Sequence, residues 1–128
     1  MVVLGVLVAT VAAFVVSSLY YAVTMSWEAR TLGDRAIDRG RPGPTKVVAE
    51  LARTAVLATG FAWLASVAGL LSLPSGLGLA VVLWVMFPVV LLLGSVAWDK
   101  VPVVTAALHA GDWLLKLLLI ATVLGLLH

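Results

Sequence analysis

Residues 101–127 read VPVVTAALHAGDWLLKLLLIATVLGLL. The stretch is apolar and long enough to cross a bilayer as a helix, which takes roughly 20 residues. Yet His109, Asp112 and Lys116 stand in its middle. A charge at the centre of a membrane helix costs about 2.5–3.5 kcal/mol on insertion scales. The stretch therefore either pairs its charges inside a helical bundle or uses them. Asp112 and Lys116 are one helical turn apart and can pair directly, leaving no net charge.

The rest of the chain has the same character. Its 128 residues are 63% hydrophobic and 11% charged, with a mean hydropathy of +1.19. A soluble domain is nearer half apolar and about a quarter charged. Apolar runs at about 2–25, 47–73 and 77–98 join the one at 101–127. They are continuous, whereas the strands of a membrane barrel alternate and are about half as long. The expected fold is all-α: a polytopic membrane protein with four transmembrane helices in one bundle and no second domain. No positive segment precedes the first run, which is longer than the apolar region of a signal peptide, so it reads as a first transmembrane helix.

Polar and turn-forming residues punctuate the runs. The sizeable loop, 26–46, is charged and ends in Arg41-Pro42-Gly43-Pro44. Leu73-Pro74-Ser75-Gly76 reads as a tight turn, and Pro102 suits the first turn of the last helix. Pro88 is expected to kink the third helix, because it removes a backbone hydrogen bond. Orientation follows from the basic residues. Arg30, Arg35, Arg39, Arg41 and Lys46 occupy the first loop, and Lys100 the third. The positive-inside rule then places both loops in the cytoplasm and both termini outside, a bacterial inner membrane being the expected setting. Trp27, Trp98, Tyr20 and Tyr21 fall where an interfacial aromatic belt would lie.

Thr105, His109, Asp112 and Lys116 are spaced four, three and four apart, within about 60° of helical arc. His109 sits roughly 12 Å from the inner end of its helix and Lys116 roughly 22 Å. Leu119, Ile120 and Val123 then close the stripe, so a continuous polar path along this helix is not expected. What remains is a half-depth polar pocket. Glu50 and Arg53 of the second helix are its candidate walls, or else a snorkelling pair near the headgroups. In the first helix Gly5, Ala9, Ala13 and Ser17 recur every fourth residue as a close-packing face, also suited to association between copies. The hydroxyls of that helix, Ser17 among them, are expected to bond the carbonyl four residues back. A lining role for Ser17 and Tyr21 is the less favoured reading.

Two segments carry a family resemblance. Ala12-Ala13-Phe14, then Leu19-Tyr20-Tyr21 and Trp27, resembles the opening of the DUF1761 family of small bacterial membrane proteins. His109-Ala110-Gly111-Asp112-Trp113-Leu114-Leu115, followed by Leu124-Gly125, is similar to the family's last helix. The resemblance implies a four-helix membrane fold with no assigned biochemical role, and it supplies no catalytic residue.

Several chemistries are excluded or disfavoured. Without cysteine there is no disulfide, iron–sulfur or thiolate–metal site. Two histidines, His109 and the terminal His128, do not make a metal site within one chain. No phosphate loop, nucleophile elbow or other cofactor motif occurs, so no cofactor is expected. Glu28, Asp34 and Asp38 dilute the basic loop, which reads as a topology determinant rather than a nucleic-acid surface. Two functional readings stand. One is binding or translocation of a small molecule, ion or proton through the half-depth pocket, in a homo-oligomer. The other is a structural or accessory membrane subunit in which Asp112–Lys116 is a helix-packing lock. An enzyme using His109 and Asp112 as an acid–base pair ranks last.

Overall fold

The structure, a computed structural model, describes residues 2–35 and 43–128. Asp38, Arg39, Arg41 and Pro42 of the expected loop lie outside the described residues. Among the described residues the regular elements are all helical. Four helices are long and apolar enough to cross a membrane: α1 (Val2–Leu32), α2 (Pro44–Ala68), α3 (Leu73–Trp98) and α4 (Val103–Leu127).

The helix ends differ from the sequence reading for local reasons. α1 runs on past residue 25 to Leu32. Nothing between those positions breaks a helix, and Glu28, Ala29 and Arg30 favour one. The extension brings Glu28 into α1, where it is buried. The turn expected at 73–76 is instead the first turn of α3. Pro74 sits where its missing N–H would be unsatisfied anyway. The chain reverses earlier, at Gly69, whose φ of 71° and ψ of 31° form a left-handed cap. The Gly69 N–H donates to the carbonyls of Ala65 and Ser66. Pro102 lies just before α4 rather than inside it. In α3 the disturbance expected at Pro88 takes the form of a π-helical turn, Val85–Val89. Such a widened turn accommodates a residue that cannot donate its backbone hydrogen bond.

α4 packs between α1 and α3, and α2 packs on α1. The small residues of α1 decide how closely α1 and α4 approach. A Cβ on Gly5 would stand 3.0 Å from Leu124 Cδ2, and Ala9 and Ala13 are fully buried. The face proposed for association between copies is therefore covered within the chain. Ala58, Phe61, Ala62 and Ala65 of α2 complete the core with Leu117, Ile120, Ala121 and Leu124 of α4. Most remaining valines and leucines point outward, a surface suited to lipid tails. α2 and α3 scarcely touch each other, so a seam runs between them with α4 as its floor.

Gly125 sets the approach of α3 to α4. A Cβ there would lie 3.0 Å from Leu73 Cα and 3.2 Å from Leu73 N, both backbone atoms. Gly125→Ala is expected to cost about 1–3 kcal/mol through overpacking. Gly94 has nothing within 4 Å of its Cβ position. Gly94→Ala is expected to be neutral, or stabilising by up to about 1 kcal/mol through helix propensity. Thermal unfolding of the two variants in detergent makes the comparison.

Candidate functional site

His109 and Asp112 of the stripe on α4 face α1, and the two helices run antiparallel. Asp112 is 3% exposed, and both of its oxygens are engaged. Ser17 Oγ donates to Oδ1 at 2.6 Å, and Lys116 Nζ lies 3.1 Å from Oδ2. The ammonium also stands 5.3 Å from the centre of the Trp113 ring, within the range of a cation–π contact. The two charges thus form a neutral unit whose carboxylate is also bonded to a hydroxyl from the neighbouring helix.

One turn toward the start of α4, the Tyr21 hydroxyl and His109 Nδ1 share a hydrogen bond of 2.6 Å. With Tyr21 donating, the imidazole carries its proton on Nε2. Two more aromatic residues tie α4 through its backbone. Tyr20 donates its hydroxyl proton to the Leu108 carbonyl at 2.7 Å. From α3, Trp84 Nε1 donates to the Ala110 carbonyl at 2.8 Å. A helix carbonyl has a second lone pair to offer beyond its intrahelical bond. The stretch 108–112 is therefore gripped from both sides. Thr105, 1% exposed, holds an Oγ1 with no hydrogen-bond partner.

The structure redistributes the residues expected here. Ser17 and Tyr21 do not bond back along α1 but reach across to α4. Thr10 and Thr24 keep the expected bond to the carbonyl four residues back, at 2.7 and 2.8 Å. The difference lies in what each hydroxyl meets. An ionised carboxylate is a stronger acceptor than a carbonyl already in a helix, and it is Ser17 that faces Asp112. Tyr20, expected in an interfacial belt, also joins α4. Glu50 and Arg53 pair with each other on the exposed side of α2. Arg53 lines a groove of about 430 Å³ together with Trp113 and Lys116; Glu50 is not among its lining residues.

Trp84 escaped the sequence reading. A signal was present: an indole N–H inside an apolar run has to find an acceptor. Which acceptor it finds depends on the neighbouring helix.

Long apolar helices around a buried, self-neutralised polar cluster define a small all-helical protein with the dimensions of a membrane-spanning bundle. The chain belongs to a family of proteins of unknown function, DUF1761, whose model matches residues 4–125. The family resemblance read from the two motifs is thereby confirmed. No curated protein and no solved structure matches the chain.

Gly111 lets Tyr20 reach its acceptor. A Cβ at position 111 would lie 2.6 Å from the Tyr20 hydroxyl oxygen but 3.4 Å from Cζ. Gly111→Ala is expected to destabilise by about 1–3 kcal/mol. Tyr20→Phe removes the hydrogen bond, costing about 0.5–1.5 kcal/mol, and also removes the clashing atom. The double variant should then lose less than the sum of the two, a coupling that a double-mutant cycle in detergent measures.

Proposed function

We propose that the protein is an integral membrane protein in which Ser17, Asp112 and Lys116 form a helix-packing lock. In this reading it serves as a structural or accessory component beside a larger membrane partner. One observation carries the reading. Asp112 is 3% exposed with one oxygen on Ser17 and the other on Lys116. A carboxylate so occupied is poorly placed to take up an ion or a solute. Burial together with a partner on each oxygen therefore favours the lock over translocation through a half-depth pocket. The grip of Tyr20 and Trp84 on the carbonyls at 108 and 110 supports the same reading, since it immobilises the helix that carries the pair.

Topology follows from the basic residues: the segment 26–46 in the cytoplasm and both termini outside. The chain has no cysteine, so single cysteines report cleanly. In inverted and right-side-out vesicles, Asp34→Cys should label from the cytoplasmic side and Ser72→Cys from the opposite one. The reverse pattern would overturn the assignment.

The lock makes a stability prediction. Asp112→Leu or Lys116→Leu alone leaves one buried charge unpaired and should cost about 3–5 kcal/mol. Replacing both should be neutral, or stabilising by about 1–4 kcal/mol. Thermal denaturation in detergent separates the cases. A double variant as unstable as either single one would sink the lock.

A further inference from the structure

The seam between α2 and α3 is not featureless. It forms a groove of about 570 Å³ lined by Leu57, Phe61 and Leu64 of α2, Phe87 and Leu91 of α3, and Leu117 of α4, among others. That size falls in the range of roughly 300–1,000 Å³ usual for small-molecule sites. The groove shares Val56, Leu57 and Trp113 with the 430 Å³ groove that Arg53 and Lys116 line. The two are one continuous surface, apolar over most of its length, with two ion-paired basic side chains, Arg53 and Lys116, at one end.

The charges at that end are asymmetric. Lys116 and Arg53 line the groove, whereas their partners Asp112 and Glu50 do not. Within the buried pair the lysine side chain is the more open, 10% exposed against 4% for Asp112. The ammonium has three donors, and Asp112 takes one of them. Along the apolar part, the π-helical turn Val85–Val89 brings Phe87 and Pro88 to the wall. Widened turns of this kind recur at ligand sites.

Depth narrows the occupant. Lys116 stands roughly 20 Å along α4, close to the middle of the helix. A phospholipid would have to draw a bulky headgroup to the centre of the bilayer to reach it. A single-chain carboxylic acid carries a small head with one charge, matched to an ammonium that already shares one carboxylate. We infer that the groove binds a long-chain fatty acid that enters from the bilayer through the α2–α3 seam. Its carboxylate meets Lys116 and Arg53, and its chain lies along Phe61, Phe87 and Leu91. This site shares Lys116 with the lock but lies on the other side of it, since the lock's carboxylate and serine meet on the α1 side of α4.

The energetics give the inference its test. Lipid tails are as apolar as the groove, so transfer of the chain from bilayer to groove gains little. Selectivity must come from the head. The experiment uses the full chain in phosphatidylcholine nanodiscs with palmitic acid bearing a mid-chain diazirine, irradiated and mapped by peptide mass spectrometry. Crosslinks are expected on Phe61, Phe87 and Leu91. Unlabelled palmitate should compete at least about tenfold better than methyl palmitate, the scale of a lost charge-assisted hydrogen bond. Arg53→Gln, at an exposed position, should weaken the probe about tenfold on the same scale. Leu91→Trp should block it sterically. The Asp112→Leu/Lys116→Leu variant should lose it as well; should that protein not fold, the other two variants decide. Equal competition by the methyl ester would overturn the inference, as would displacement by phosphatidylglycerol. Labelling unchanged by Arg53→Gln and Leu91→Trp, or a dimer that shields the same residues from the probe, would do so too.

Discussion

A carboxylate buried near the centre of an apolar helix has to be satisfied within the protein, and the rest of this structure is arranged around that requirement. Asp112 is held by Lys116 from its own helix and by Ser17 from α1. The lysine cancels the charge; the serine fixes the geometry. The Ser17–Asp112 bond holds α1 against α4 in one register. That register places Gly5 against Leu124 and Tyr21 against His109. The small residues at 5, 9 and 13 then let the two backbones approach where no polar contact draws them together.

The same helix is held by a second kind of bond, from both sides. Trp84 of α3 and Tyr20 of α1 donate to carbonyls two residues apart on α4. These bonds cost α4 nothing, since each carbonyl keeps its intrahelical partner. They concentrate the polar contacts between helices in 108–112, the stretch where an unsatisfied group would be most expensive. α2 takes no part in this cluster. It packs on α1 and leaves the seam facing α3 open, with Phe61 on the groove wall. The bundle is thus closed around α4 on the α1 side and accessible on the other, and Lys116 lies at the boundary between them.

Much of the candidate site is legible in the amino-acid order. The spacing of Thr105, His109, Asp112 and Lys116 puts them on one helical face, and the structure turns His109 and Asp112 of that face to α1. The pairing of Asp112 with Lys116 and of Glu50 with Arg53 follows from helical spacing alone. Less legible are the contacts that leave a helix. Ser17 and Thr24 have similar hydroxyls in similar apolar surroundings, yet Ser17 bonds across and Thr24 bonds back. No local rule separates them, because the deciding atom is a carboxylate 95 residues away in the chain. The reversal before α3 is set locally: Gly69 takes the left-handed cap that ends α2, and Pro74 fits the first turn of α3.

By itself, the sequence determined the all-helical class, the four long apolar helices, the family and the neutral pair at the heart of the last helix. These depend on hydropathy and on periodicity along one helix, which are local properties of the chain. The tertiary structure decided that α4 lies at the centre, that the small face of α1 is spent within the chain, and that Arg53 and Lys116 meet along an open groove. Those outcomes depend on which helices become neighbours. That choice rests on close packing at Gly5, Gly111 and Gly125 and on the acceptors that Ser17, Tyr20 and Trp84 find in another helix.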